Sequence, residues 1–292
     1  MNTSSKLILG TVQFGLNYGI NNYDGKVNKE EAYKILDLAG KNDISALDTA
    51  AVYGNSESVI GSYLNGSNNK FKLITKLASH DSDWKTSLNQ SLKRLKSKKV
   101  ETVLFHSYKM YRMMRALDSY QDLLSLKGKV YSNLGVSVYS NDEMNELLND
   151  DTINIVQAPF NLLDNESKKG DILKKFKDQG KTVHVRSTFL QGLFFMKKNH
   201  LPADLQSLGV YLDKLRKIAS AAHCPLGELA IKYVLSKEYI DGVLIGVDSV
   251  QQLELNLEWS SGNIDSNFFD EIDNISVEDV NLLNPSTWNL KK

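Results

Sequence analysis

The sequence predicts an α/β fold, a (β/α)8 TIM barrel in a single domain over residues 1–292. Three observations predict it. Eight short runs rich in β-branched and apolar residues recur along the chain, and helical patterns separate them. The runs are nearly continuously apolar rather than alternating, which suits parallel strands covered by helices. The length of 292 residues suits a fold that typically takes about 250. A doubly wound open sheet shares this alternation, because a strand count alone does not show closure.

In chain order, "KLILGTVQF" is the first strand, with "NKEEAYKILDLAGKN" as its helix. "SALDTA" leads into "SESVIGSYLN", and "KLITKL" into "DWKTSLNQSLKRLKS". "VETVLFH" is followed by "MRALDSYQDLLSLKGK", and "NLGVSVY" by "NDEMNELLND". "INIVQAPF" precedes "ESKKGDILKKFKDQGK", and "KTVHVRST" precedes "DLQSLGVYLDKLRKIASAA". An extra helix, "PLGELAIKYVLSKE", comes before the last strand, "DGVLIGV", and its helix, "DSVQQLELNLEW". Each strand is short and apolar, and each helix places its apolar residues at helical spacing. Residues 261–292 form a tail expected to pack on the barrel or over its mouth. No internal repeat or linker divides the chain.

Hydrophobic residues make up 41% of the chain, enough for a sizeable core. Lys plus Arg and Asp plus Glu both number 35, so the net charge is zero. Nucleic acid is not an expected partner, because phosphate binding usually needs a basic excess. The Lys-rich "SLKRLKSKKVE" reads as a solvated helix face. Cys224 is the only cysteine, which excludes an intramolecular disulfide and fits a reducing compartment. In "AAHCPLGE" it reads as a small buried thiol between two helices rather than a nucleophile. The N-terminal apolar run breaks at Gln13, a poor signal peptide, and no run approaches the ~18 residues of a membrane span. A soluble, cytoplasmic protein without a metal or membrane partner is expected. No signal specifies an oligomeric state.

In such a barrel the chemistry sits at the C-terminal ends of the strands. Asp48 ends the second, with Tyr53 in the loop behind it. Lys76 closes the third and His106 the fourth. Each has an ordinary reading alone: a turn-forming Asp, a half-buried Tyr, a solvated Lys, a hydrogen-bonded His. Together they form a proton-transfer machine. A phenol titrates near 10 and is a poor acid at neutral pH. An ammonium beside it lowers that value, a carboxylate orients the ammonium, and an imidazole holds a substrate oxygen.

"LDTAAVYGNSE" resembles the Asp-x-Ala-x-x-Tyr-Gly-x-Ser/Asn-Glu signature of the aldo-keto reductase superfamily, bacterial members included. "GTVQFG", "LGVSVYS", "NIVQAPFNLLD" and "GVDSVQQLELNL" extend the resemblance over roughly residues 7–258. It implies Asp48, Tyr53, Lys76 and His106 as the catalytic set, with Tyr53 exchanging the proton. It implies an NAD(P)-dependent oxidoreductase that reduces an aldehyde or ketone to an alcohol. The chain lacks Gly-x-Gly-x-x-Gly, so the cofactor is expected to lie extended across the barrel mouth.

The resemblance places Gly10 and Thr11 near the nicotinamide ribose, and Ser137 and Gln157 at the carboxamide. Ser187, Leu190 and Gly192 match a phosphate-binding loop. Gly246, Ser249, Gln252 and Asn256 fall in a second loop that holds the adenosine end. Val138 stands where members often have Asn. Arg186 stands where many members place an aromatic ring against the nicotinamide. It reads either as a cation for an anionic substrate or the cofactor diphosphate, or as an arginine paired to a loop carboxylate. NADP(H) is the family default. Loop 246–256 has no Lys or Arg and contains Asp248, which opens NAD(H) use. Gln13, Phe14, Tyr18, Tyr108 and Phe160 are the candidate substrate contacts, suited to a sugar, another polar carbonyl or an aryl aldehyde. The "RSTFLQGL" loop resembles that of members associated with sugar or polysaccharide metabolism. Two competing functions fit the barrel: a Schiff-base aldolase using Lys76, and a non-catalytic nicotinamide-nucleotide sensor.

Overall fold

The computed structural model describes residues 6–77 and 83–288. Eight strands pair in sequence order and close on themselves: β1 (Leu7–Gly10), β2 (Ala46–Asp48), β3 (Lys72–Leu77), β4 (Val100–Phe105), β5 (Tyr131–Ser137), β6 (Ile155–Pro159), β7 (Thr182–Arg186) and β8 (Gly242–Gly246). Every pairing is parallel, including β8 on β1, with Gly246 beside Gly10. The sheet is a closed barrel, not an open doubly wound one.

The continuous apolar runs follow from burial on both strand faces. Ile8, Ala46, Ile74, Leu104, Ile155 and Leu244 form one cluster, the filling of the barrel. Their neighbours Leu7, Leu9, Leu47, Leu73, Val103, Val156, Val243 and Ile245 belong to the second cluster, packed against the helices. Side chains alternate along a strand with period 2. Two residues on from each barrel-filling residue stands another inward-facing one: Gly10, Asp48, Lys76, His106, Gln157 and Gly246. A single register therefore raises this set one layer above the plug, at the C-terminal mouth.

Two elements differ from expectation. The first strand stops at Gly10, and Val12–Phe14 forms a 3-10 turn. Thr11 ties this end to β2: its N–H and hydroxyl both donate to the Asp48 carbonyl, at 3.0 and 2.9 Å. The helical segment after β4 begins earlier and splits into α4 (Tyr108–Arg115) and α5 (Ser119–Leu124). Ser107 caps α4 by accepting from the Met110 N–H.

The described part of the tail packs on the barrel's flank. Helix α11 (Asn267–Asp273) buries Phe269 and Ile272. Asn165 donates to the carbonyls of Ile272 and Ile275 at 2.8 and 3.0 Å. The Tyr233 phenol, on α9 (Leu226–Leu235), bonds Asp273. Residues 289–292 lie outside the described residues. Cys224 is half-buried, and burial raises its thiol above the usual range. Among the described residues, no helix is long and apolar enough to cross a membrane, and no cluster of three His, Cys, Asp or Glu side chains is placed to hold a metal.

Candidate active site

Lys76 and Asp48 lie side by side on the inner face of β3 and β2. Each is 2% exposed. The Lys76 ammonium pairs with Asp48 Oδ1 and donates to the Thr49 carbonyl at 3.1 Å. The other Asp48 oxygen accepts from Gln157 Nε2 at 2.9 Å. Above the pair, Lys76 Nζ lies 5.2 Å from the Tyr53 ring centroid. His106 meets Tyr53 edge to face, with centroids 5.8 Å apart and planes at 81°. Asp48, Lys76 and His106 from the strand ends and Tyr53 from its loop thus come together at one point.

The residues around Tyr53 hold its loop. Tyr53 N–H donates to the Ala50 carbonyl, and the Tyr53 carbonyl accepts from Ser56 N–H, both at 3.0 Å. Ser56 begins α2 (Ser56–Leu64). It is fully buried, and its hydroxyl reaches the Thr11 carbonyl at 2.8 Å. Glu57, also buried, accepts from Thr75 on β3 at 2.6 Å and pairs with Arg94 at 2.7 Å. Gly54 has φ +53°, a left-handed turn that suits glycine. Across from it, a Cβ on Gly15 would lie 1.8 Å from the Tyr53 carbonyl oxygen. Gly15→Ala must therefore push the Tyr53 loop out. A displacement near 1 Å costs about 10²-fold in rate. We expect kcat/KM to fall by that order with an unchanged far-ultraviolet circular dichroism spectrum. Near-normal turnover would mean that the loop's position is not critical.

Burial governs the electrostatics. It raises the Tyr53 phenol above the ordinary range; Asp48 adds to the rise and Arg186 opposes it. The sequence-based expectation that an ammonium lowers this phenol is not what this pocket does, because Lys76 is matched to Asp48. Burial also lowers Lys76, while Asp48 pulls it back up. His106 is pushed down to about 4, first by burial and then by Lys76. Its imidazole is neutral at physiological pH and fit to share a hydrogen bond with a neutral oxygen.

A cleft of about 1360 Å³, open solvent at its mouth included, runs from Tyr53 across the barrel to β8. Gly10, Thr11, Gln13, Tyr18, Asp48, Tyr53, Gln157, Arg186, Ser187, Gly192, Gly246, Asp248, Gln252 and Asn256 line it. Ser137, buried, adjoins Gln157 across the β5–β6 ladder. Ser249 does not line it; its hydroxyl caps α10 (Val250–Trp259) by accepting from Gln252 N–H. Leu190 has its side chain in the core and does not line the cleft.

Three proposed substrate contacts are corrected. Phe14 is 1% exposed and packs in the outer core. Phe160 is fully buried, stacked on Tyr233 at 5.7 Å. Tyr108 sits in the first turn of α4 with its phenol on Glu146 of α6 (Asn141–Leu148). Phe160 keeps the outward register of Val156 and Ala158, whereas Phe14 and Tyr108 are turned aside by the local 3-10 turn and the start of α4.

Several lining residues carried no sequence signal. Gly19, Asn21 and Asn22 belong to the loop between β1 and α1 (Lys29–Lys41), which crosses the cleft and meets both far loops. Ile20 N–H donates to the Gln191 carbonyl at 3.1 Å. Asn22 Nδ2 donates to Asp248 Oδ1 at 3.0 Å. Phe195, Leu255 and Trp259 supply an apolar wall. Loop 187–192 holds Ser187, Leu190 and Gln191 at φ +63°, +47° and +55° beside Gly192 at +88°. Such non-glycine residues are uncommon, and they cluster at functional sites.

The cleft fits an amide-bearing ligand. Gln157 is fully buried at its floor, and its Oε1 has no partner; the same holds for Gln13 Oε1. Buried carbonyl oxygens normally find donors. A ligand carboxamide N–H would supply one.

The chain belongs to the aldo/keto reductase family: the family model matches residues 6–277. It is accordingly an oxidoreductase of the aldo-keto reductase kind. No curated protein matches its sequence significantly. Among solved structures, the holo form of aldo-keto reductase AKR11C1 from Bacillus halodurans is similar with a TM-score of 0.73 and 20% identity, over 94% of each chain. The glycerol dehydrogenase AKR11B4 from Gluconobacter oxydans gives 0.69 and 20%, over 92% of this chain and 90% of that one. At such identity the likeness concerns the fold.

Proposed function

We propose that the protein reduces an aldehyde or ketone to the alcohol with a nicotinamide nucleotide, and that Tyr53 is the proton donor. The observation that carries this reading is the Tyr53 phenol held over the buried Lys76–Asp48 pair, at one end of a long cleft. Family membership supports it. A bound reduced nicotinamide supplies the hydride. Gln157, with its unpartnered Oε1, and Ser137 would hold the carboxamide. Gly10 and Thr11 would flank the ribose, and loops 187–192 and 246–256 would take the rest. Tyr53 gives its proton to the carbonyl oxygen as that oxygen gains charge, and neutral His106 orients the same oxygen. Titration with NADH and NADPH by nicotinamide fluorescence, followed by a carbonyl panel that includes sugars, tests the reading. Binding of neither would sink it.

The finer cofactor reading is a preference for NAD(H). Arg186 is the only Lys or Arg among the described residues lining the cleft, and it points away from loop 246–256. Asp248 stands in that loop, and Asn22 bonds its carboxylate. A 2′-phosphate there meets negative charge without a compensating cation. NADH is expected to bind at least about 10-fold tighter than NADPH, a difference of about 1.4 kcal/mol. Asp248→Asn should narrow the gap through NADPH. Tighter NADPH binding to the unaltered protein would defeat the argument.

The aldolase reading has less support. A Schiff-base lysine needs an accessible, unpaired amine, whereas Lys76 is 2% exposed and paired with Asp48. Borohydride trapping with a carbonyl should leave Lys76 unmodified. A single cysteine supports a reducing, cytoplasmic setting.

A further inference from the structure

Arg186 closes β7 and brings a full charge to the catalytic end of the cleft. Its Nη2 donates to the Val138 carbonyl at 3.0 Å and its Nη1 to the Ser187 hydroxyl at 3.4 Å. The guanidinium carbon lies 4.1 Å from the Tyr139 ring centroid. A guanidinium has five N–H donors, so these two bonds leave donors free. No carboxylate among the described residues pairs with it. Asp164, which feels its charge, pairs instead with Lys169 at 3.8 Å. The sequence-based alternative of an arginine held by a loop carboxylate is thus not what the structure contains.

Direction separates the remaining possibilities. Val138 and Tyr139 follow β5, so the side chain leaves β7 and crosses the end of β6 toward β5. Of the Ser187–Gly192 loop only Ser187 is reached; Gln191 and Gly192 meet the first loop at Ile20 and Asn21, and Asp248 of the β8 loop meets Asn22. A diphosphate held between those far parts of the two loops is not where the Val138 and Tyr139 contacts turn Arg186. Its charge acts instead on Tyr18, Tyr53, His106 and Lys76. The carboxylate lining that end, Asp48, is already neutralised by Lys76. One uncompensated cation therefore faces the place where the reacting carbonyl would sit.

We propose that Arg186 anchors an anionic group of the substrate, and that carbonyl compounds bearing a carboxylate, such as sugar acids, oxo acids and carboxylated aryl aldehydes, are the preferred class. This rests on the reductase reading. The planar fork of Arg186, stacked on Tyr139, is already ordered to receive a carboxylate bidentately. With its position fixed, the anchor sets the distance between the substrate's charge and its carbonyl carbon.

The test compares matched pairs, 4-carboxybenzaldehyde against benzaldehyde and D-glucuronate against D-glucose, in the unaltered protein and in Arg186→Gln and Arg186→Lys. The ratio of kcat/KM, carboxylated over neutral, should exceed roughly 10 and fall by roughly 10- to 100-fold in Arg186→Gln. Most of that change should lie in KM, and Arg186→Lys should recover part of it. In parallel, 4-carboxybenzyl alcohol should quench tryptophan fluorescence of the nucleotide-loaded protein at lower concentration than benzyl alcohol. A ratio near one, or equal binding of the two alcohols, overturns the proposal and leaves the reductase reading standing. An Arg186→Gln protein that instead loses NADH affinity, with its substrate ratio unchanged, assigns the cation to the cofactor diphosphate. A protein that binds no nicotinamide nucleotide removes both readings.

Discussion

Tyr53→Phe is expected to lower kcat for carbonyl reduction by about 10²- to 10⁴-fold, with the NADH dissociation constant changed by less than about 3-fold. The substitution removes one oxygen and keeps the ring. Its packing against His106 and over Lys76 is retained, so little of the loss should come from misfolding. The pH profile adds a second constraint. The reduction step needs the protonated phenol, and burial raises Tyr53 above the usual range. The active form then persists to high pH, so the reduction rate should stay flat through neutrality and fall only at strongly alkaline pH. Alcohol oxidation needs the phenolate, so its rate should climb as pH rises over the same range. His106, held down to about 4, stays neutral throughout and adds no break near 6.5. Stopped-flow hydride transfer in both directions measures all of this. A Tyr53→Phe protein with unimpaired hydride transfer would move the proton to another donor. A break near 6.5 that disappears in His106→Asn would show instead that the imidazole titrates in its ordinary range.

Much of the catalytic layer was legible because barrel geometry is a period-2 rule. Asp48, Lys76 and Gln157 each stand two residues beyond an apolar residue that fills the barrel, and strand ends mark the mouth. Even His106, just past the end of β4, keeps that spacing. What the sequence did not reveal depends on facing and tilt. Phe14, Tyr108 and Phe160 follow strands or turns and are aromatic, yet a local turn decides whether such a ring enters the cleft or the core. Ser107, by capping α4, carries Tyr108 away toward Glu146. The β1–α1 loop has no periodicity to read, so its crossing to Gln191 and Asp248 was invisible. Arg186 was visible as an oddity, but its course toward Tyr139 needed the spatial order of β5, β6 and β7. The response of the Tyr53 phenol is hidden in the sequence for a related reason: adjacency of charges is legible, and depth of burial is not.

Lys76→Met should destabilise the fold by about 3–5 kcal/mol, because it strands the Asp48 carboxylate in a dry site with Gln157 as its remaining side-chain partner. Asp48→Asn strands the ammonium instead. Burial already lowers Lys76, and without Asp48 it falls further, so the native state sheds a proton that the unfolded chain keeps. Where the unfolded chain binds more protons, stability rises with pH. Asp48→Asn should therefore regain stability as pH climbs toward the ordinary lysine value, while Lys76→Met should not. The double variant, Asp48→Asn with Lys76→Met, has no buried charge left to strand. Replacing a buried pair is often close to neutral, so urea unfolding should show most of the loss recovered. Turnover should stay low in all three, since Tyr53 then lacks either the cation beneath its ring or, in Asp48→Asn, the carboxylate that keeps that lysine charged and in place. Recovery of stability without recovery of rate is the signature of a pair kept for chemistry rather than for folding. If the double variant is as unstable as Lys76→Met, the pair is a structural tie between β2 and β3, and its proximity to Tyr53 says less about catalysis than the geometry suggests.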